Sequence, residues 1–177
     1  MQAAKPNTLE RFFGGLSQHV FHTQLGVVDP QIVDYVSHLL VRFVRLDGIT
    51  RIRQPDGAPV TEVVTMVAEA ERRVGEAKRD VHRHIGDFTL FWSGVYPEAL
   101  REMRNPSSSD CFVSYCAQGK RAYEIASTIE TEKDDPPASL LQRLADQFEM
   151  CAYGLREIRR EWERRDDAGS SDVPLLL

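Results

Sequence analysis

Apolar residues recur at helical spacing along most of the chain, and capping residues divide the pattern into segments. Asn7 followed by Glu10 has the N-cap and N3 spacing of a capping box, which predicts the start of a helix. Apolar residues then recur every three or four positions to about Leu25, and Gly26 indicates the end of the run. A first helix is therefore predicted between these two signals.

A second helix is predicted directly after this one. Asp29 and Pro30 have the order of an N-cap and a first helical residue. The helix is predicted to end at residues 47–48, and the prolines and glycine within residues 49–60 predict a loop. Its inward apolar positions are Ile32, Val36, Leu39, Leu40 and Phe43.

The longest pattern begins at Thr61, where apolar positions alternate steps of four and three as in a heptad seam. A continuous helix over about 61–93 would be roughly 50 Å long, whereas a compact domain of this size is roughly 40 Å across. We therefore expect either a bend near Gly75 or Gly86, or a projecting helix that packs against a second copy. An up-down bundle buries the same seam more simply within one chain.

The remaining segments are also helical in pattern. A short helix is predicted from Pro97 and a longer one from Asp110. After a charged linker over 131–137, residues 139–165 carry a second heptad seam, and no segment alternates as a strand does. We predict an all-α fold, an up-down bundle of five or six helices in which 61–93 and 139–165 are the two long ones.

Length and composition restrict the class of protein. The chain has 177 residues, of which 42% are hydrophobic and 28% charged, with a net charge of −5. We expect one domain over residues 7–165, a flexible segment 1–6 and a mobile tail 166–177. No apolar run approaches the roughly 18–20 residues of a spanning helix, and the start lacks a signal-peptide core. The acidic balance disfavours binding to nucleic acid or anionic membranes.

Cysteine usage indicates a reducing compartment. The three cysteines, Cys111, Cys116 and Cys151, are an odd number without metal-ligand spacing. Two of them, Cys116 and Cys151, fall on apolar helix faces, where buried structural thiols are expected. A cytoplasmic location is therefore predicted.

His84 is the histidine of greatest interest, because it occupies a position on the heptad seam where a buried polar ring needs a partner. Asp80 precedes it by four residues and Asp87 follows it by three, so either carboxylate can reach it on a helix. An acidic stripe of this kind could supply ligands to iron, manganese or zinc. A carboxylate-oriented core histidine, or a solvated acidic face, explains the same pattern without a metal.

A second pair of candidate ligands lies on the first helix. His19 and His22 are three residues apart, about 60° from each other, and could chelate a metal jointly. By contrast, His82 and His84 point about 200° apart and cannot share one ion. The Glu-x-x-His signature of ferritin-like carboxylate bundles is absent.

No catalytic motif is assembled in the sequence. Lys120 follows Gly119 without a phosphate-binding glycine loop, and Gly119 on a helix instead predicts close approach of a second helix. The serines at 107–109 lack the context of a nucleophile elbow. The arginines within residues 156–165 alternate with glutamates, which is typical of a solvated helix end.

Three segments resemble a family of all-helical bacterial proteins with no known activity. The segments are residues 25–30, 81–91 and 151–155, and the likeness covers most of residues 7–165. The resemblance implies one globular domain in a bacterial cytosol. It implies no catalytic residue.

These observations lead to three hypotheses. The first is a non-enzymatic helical domain that acts through protein contacts, self-association among them, with no cofactor. The second is a bundle that binds iron, manganese or zinc through His84, with Asp80 or Asp87 and a histidine from another helix. The third is a small-molecule pocket between helices, lined by Phe88, Phe91, Trp92 and Tyr123.

Overall fold

A computed structural model describes residues 8–45, 63–102 and 110–169, and all regular structure in these ranges is helical. The all-α prediction is confirmed for these residues, with eight α-helices in place of five or six. In chain order the elements are α1 (Thr8–Gln18), a π-helical turn (His19–Gln24), α2 (Pro30–Val44), α3 (Val63–Glu71), α4 (Gly75–Val95), α5 (Pro97–Glu102), α6 (Asp110–Thr128), α7 (Ala138–Asp146) and α8 (Phe148–Asp167).

α4 is the central helix of the fold. From His84 to Phe91 every residue is buried, whichever face of the helix it occupies. The helices α2, α3, α5, α6 and α8 all contact α4. A helical segment that is buried on every face needs neighbours on all sides. The later part of the heptad seam predicted from the sequence therefore lies on an enclosed core helix. The up-down arrangement of the bundle stays a prediction.

The long helix expected over 61–93 is divided between Glu71 and Gly75. Gly75 has a φ of +56°, in the left-handed region that side chains other than glycine rarely adopt. α4 then continues without interruption past Gly86. The expected bend is confirmed at Gly75, and a single continuous helix is wrong. Because α3 packs back onto α4, the two helices form a hairpin.

The second long helix, expected over 139–165, is divided at Gln147. The N–H of Gln147 still donates to the carbonyl of Arg143 (2.9 Å), and Gln147 in turn accepts from the N–H of Cys151 (2.9 Å). Its φ of −110° and ψ of +24° depart from helical values. The chain therefore changes direction at one residue while the hydrogen bonding continues, and α8 extends to Asp167.

Local signals near the start of the chain are confirmed. Gly26 follows the π-helical turn with a φ of +65°, so the first helix ends where glycine indicated. The carboxylate of Asp29 caps α2 by accepting hydrogen bonds from the N–H groups of Gln31 (3.2 Å) and Ile32 (3.3 Å). The π-helical geometry of residues 19–24 was not predicted.

Several expectations concern residues outside the described ranges. They are the N-terminal segment 1–6 with Asn7, the loop at 49–60, the serines at 107–109 and the end of the tail, residues 170–177. Among the described helices none is long and apolar enough to cross a membrane.

Glycines bring α6 close to α4. A Cβ atom added at Gly86 would lie 2.6 Å from the ring of Tyr123, and one added at Gly119 would lie 2.4 Å from both the Phe148 ring and the Thr89 hydroxyl oxygen. Real Cβ atoms essentially never approach other atoms so closely. The prediction that Gly119 permits close helix approach is confirmed.

We expect Gly119→Ala to lower the free energy of unfolding by about 1–3 kcal/mol, because the added methyl overpacks a filled interface. Gly15 provides a matched control in α1, since its added Cβ would have no atom within 4 Å. Gly15→Ala should raise the free energy of unfolding by about 0.5–1 kcal/mol. Urea denaturation followed by circular dichroism measures both. Equal effects of the two substitutions would contradict the close packing.

Candidate functional site

The carboxylate of Asp87 lies inside the protein and accepts three hydrogen bonds from side chains. The hydroxyls of Tyr35 and Tyr123 donate to its Oδ1 at 2.6 Å and 2.7 Å. Arg42 donates from Nη2 to its Oδ2 at 2.8 Å, which also makes an ion pair. Asp87 is 1% exposed. These four residues, which we call the Asp87 cluster, are the candidate site.

Three helices supply the Asp87 cluster. Tyr35 and Arg42 lie two helical turns apart on α2, Asp87 is on α4 and Tyr123 is on α6. The Arg42 guanidinium lies over the Tyr35 ring, 5.5 Å from its centroid. Because Gly86 has no side chain, the Tyr123 ring can lie against the backbone of α4 beside Asp87. The cluster therefore joins α2, α4 and α6 at one buried point.

The electrostatics keep both tyrosines protonated. Burial raises the pKa of the Tyr35 and Tyr123 hydroxyls, and the negative charge of Asp87 raises each further. The same charge raises the pKa of Arg42 above its already high value. Each tyrosine is therefore a neutral hydrogen-bond donor, and the charge of Asp87 is balanced by that of Arg42. Both carboxylate oxygens are occupied, and 33% of the Arg42 side chain reaches solvent.

His84, the first predicted metal ligand, is surrounded by aromatic rings. It is 2% exposed, and its ring stacks against Phe43 with a centroid distance of 6.1 Å. Phe88 lies 6.2 Å from it and 6.4 Å from Phe43, so the three rings form one cluster. The two carboxylates expected beside it have other contacts: Asp87 belongs to the Asp87 cluster, and the half-exposed Asp80 forms an ion pair with Arg83 at 3.5 Å.

The remaining predicted ligands lie elsewhere. His19 and His22 are exposed on the π-helical turn, which packs against α1 and α8. Within the ranges that the structure describes, no three His, Cys, Asp or Glu side chains form a group that could hold a metal ion. The five candidate ligands are therefore not brought together at one point.

The aromatic residues proposed to line a pocket divide between two sides of α4. Phe88, Phe91 and Trp92 pack against one another and, through Phe91, against Phe43 of α2 at 4.8 Å. Tyr123 instead packs against Gly86 and Phe148. The four residues therefore do not line one space.

The two described thiols, Cys116 and Cys151, are free and buried. Burial raises the pKa of both, that of Cys151 to about 12. A nucleophilic cysteine needs a lowered pKa, so the prediction of buried structural thiols is confirmed for these two. The side chain of Cys111 lies outside the described set.

A buried arginine, Arg79, was missed in the sequence. It is 4% exposed, and it donates to the carbonyl oxygens of Ala126 (3.1 Å) and Pro136 (2.7 Å) and to the carboxylate of Asp134 (3.0 Å). It thus ties α4 to the end of α6 and to the linker before α7. Local spacing on α4 gave no signal for this role, because the partners of Arg79 lie 47 to 57 residues away along the chain.

The partners of Asp87 were also missed. Tyr35 and Arg42 lie beside the apolar positions of α2, and Asp87 lies within an otherwise apolar stretch of α4. A charge in such a stretch needs partners from other helices. The available signal for these partners was that Tyr35 and Arg42 border the apolar face of their helix, where a polar side chain can reach a buried charge.

Comparisons with family models, with curated proteins and with solved structures give no significant match to this chain. The likeness to an all-helical bacterial family stays a prediction.

We expect Arg42→Gln to destabilise the protein by about 3 kcal/mol, because it leaves the buried charge of Asp87 without a cation. Arg143 is the matched control: its side chain is also 33% exposed, but its partner Asp29 is 24% exposed, against 2% for Asp87. Arg143→Gln should cost about 1 kcal/mol or less. Urea denaturation measures both. Equal losses would contradict a dominant role for burial of the carboxylate.

The raised pKa values of Tyr35 and Tyr123 predict a loss of stability in alkali. In the unfolded chain a tyrosine has a pKa near 10. The contribution of the two protonated hydroxyls to the free energy of unfolding is therefore complete below about pH 10. It is lost as the pH rises toward the higher pKa that these tyrosines have in the folded protein. Of the five tyrosines, these two should ionise only as the protein unfolds. Tyrosinate absorbance and circular dichroism, recorded together against pH, test this.

Two variants test whether Tyr35 and Tyr123 cause the late ionisation step, meaning the ionisation that accompanies unfolding. The double variant Tyr35→Phe/Tyr123→Phe should lack it, whereas Tyr153→Phe, which alters a half-exposed residue, should retain it. Ionisation of all five tyrosines while the helical signal is intact would show that the cluster does not protect its hydroxyls.

Proposed function

We propose that this chain is a non-enzymatic helical domain that acts through protein contacts, including contacts with a second copy of itself. The observation that carries the proposal is that the Asp87 cluster is satisfied internally. Its carboxylate, two phenols and guanidinium are bonded to one another. Bonded in this way, these groups are not available for acid–base chemistry on a substrate.

Accessibility supports a structural role for this cluster. Asp87, Tyr123 and Tyr35 are 1%, 0% and 8% exposed. A catalytic acid or base has to come within hydrogen-bond distance of its substrate, whereas these side chains are enclosed by their own partners. Buried polar networks with every member satisfied fix the relative positions of helices. The cluster therefore serves to hold α2 and α6 in register with α4.

The hairpin of α3 and α4 offers the contact surface. Val64 is 71% exposed at the start of α3, and Val74 is 84% exposed at the junction before α4. Single exposed valines are common on protein surfaces. These two lie at the opposite ends of α3, and we propose that a second copy covers this face of the hairpin.

Light scattering coupled to size exclusion, at about tens of micromolar protein, tests self-association; a homodimer of the micromolar class dissociates on dilution below that range. We expect a dimer mass for the natural chain and a monomer mass for Val64→Asp/Val74→Asp. Val28→Asp is the matched control, because Val28 is 85% exposed but lies between the π-helical turn and α2. It should leave the dimer intact.

Two results would contradict the proposal. A monomer mass for the natural chain at tens of micromolar would exclude self-association in that range. Stoichiometric metal in protein purified without a polyhistidine tag, lost in His84→Ala, would favour the metal-binding hypothesis instead.

A further inference from the structure

Arg83 is a largely buried arginine on α4 that lies outside the Asp87 cluster. Only 13% of its side chain is exposed, and its Nε is buried without a hydrogen-bond partner among the described residues. Its Nη2 forms an ion pair with Asp80 at 3.5 Å, and the Asp80 side chain is 49% exposed. A guanidinium has several N–H donors and no acceptor. Among the described residues this cation therefore finds little that satisfies its donors.

Arg79, one turn earlier on α4, shows how a buried guanidinium is satisfied when it serves the fold. It donates to the carbonyl oxygens of Ala126 and Pro136 and to the carboxylate of Asp134. Buried polar groups in folded proteins nearly always have such partners, and a group without them points to a ligand, an ion or water as its partner. The contrast with Arg79 therefore indicates that Arg83 is placed to bind something other than its own chain.

A second arginine lies near Arg83. Arg83 is four residues before Asp87 on α4, one helical turn away, and Arg42 of α2 donates to Asp87 at 2.8 Å. Burial and the charge of Asp87 raise the pKa of the Tyr35 hydroxyl, and the positive charges of Arg42 and Arg83 both act against this rise. Because 33% of the Arg42 side chain reaches solvent, the two cations lie at the edge of the Asp87 cluster that faces water.

The negative groups at this edge leave Arg83 available to an anion. The carboxylate of Asp87 is already bonded by Arg42 and by two tyrosines. Asp80 is half-exposed, so its ion pair with Arg83 contributes little and water can solvate its carboxylate when the pair opens. An anion that displaces Asp80 meets a guanidinium largely shielded from water, where charge-assisted hydrogen bonds are strong.

We propose that Arg83 binds a phosphate group at the edge of the Asp87 cluster, with Arg42 as the second cation and with the entrance on the Asp80 side. The planar fork of an arginine matches the oxygens of a phosphate in a bidentate contact. Near neutral pH a phosphate group carries close to two negative charges, against one for a carboxylate, so two cations attract it more strongly. This site does not depend on whether the protein self-associates.

Stability without ligand distinguishes a binding arginine from a structural one. In phosphate-free buffer Arg83→Met should raise the free energy of unfolding, because it removes a largely buried cation whose donors lack acceptors and keeps the apolar stem. Arg73→Met is the control: Arg73 donates from Nε to Glu69 at 3.0 Å, so its removal should not stabilise the protein. Urea denaturation measures both. A loss of stability or of folding in Arg83→Met would show that Arg83 holds the fold and would overturn the proposal.

Binding is measured on the full chain by calorimetric titration with inorganic phosphate and with glycerol phosphate, at constant ionic strength. We expect a dissociation constant of about 1 mM or tighter for at least one of them, and weaker binding of acetate. Arg83→Met should weaken the binding by about tenfold or more, as expected for lost hydrogen bonds to a charged group, and Arg73→Met should leave it unchanged. Tighter binding of glycerol phosphate would identify a phosphate monoester as the ligand, and tighter binding of inorganic phosphate the free ion.

A second variant tests the geometry of the contact. Arg83→Lys keeps the positive charge but lacks the planar fork, so it should fold and bind phosphate less tightly than the natural chain. Three results would overturn the proposal. They are no binding of either phosphate compound up to about 20 mM, equal binding by the natural chain and Arg83→Met, and binding of acetate as tight as that of phosphate.

Discussion

The burial of one carboxylate constrains much of this fold. An ionised group cannot remain in a low-dielectric interior without a counter-charge and hydrogen bonds. Asp87 lies on the enclosed half of α4, so its partners have to come from neighbouring helices. α2 provides Arg42 and Tyr35, and α6 provides Tyr123. These bonds fix the positions of α2 and α6 along α4, which apolar packing alone would leave adjustable. A shift of either helix by one turn would break its bond to the Asp87 carboxylate.

The packing of α6 on α4 differs from the packing of α3 on α4. On the α6 side, Gly86 and Gly119 admit aromatic rings at contact distance, and Arg79 bonds to the opposite backbone. On the α3 side, contacts are apolar and the one ion pair between the helices, Glu71 with Lys78, is exposed. α6 is therefore joined to α4 by more polar and close contacts than α3 is.

Features that depend on neighbouring residues could be predicted from the sequence, and features that depend on distant residues could not. The cap at Asp29 and the bend at Gly75 follow from local conformational rules and were found. The partners of Asp87 are 36 and 52 residues away for the two tyrosines, and no local spacing reveals them. Helical spacing instead suggested His84 as its neighbour. That pairing was geometrically allowed, but the tyrosines and arginine compensate a buried charge better than an imidazole within an aromatic cluster.

The bonds of Arg79 bear on how this protein can vary in sequence. Two of its acceptors, at Ala126 and Pro136, are main-chain carbonyls, which every amino acid possesses. Substitution at those two positions therefore cannot delete the acceptor, provided the backbone keeps its course. Within the linker before α7 the sequence constraint therefore falls on Asp134, whose carboxylate is a side-chain acceptor, whereas the position of Pro136 is anchored to the central helix through its main chain.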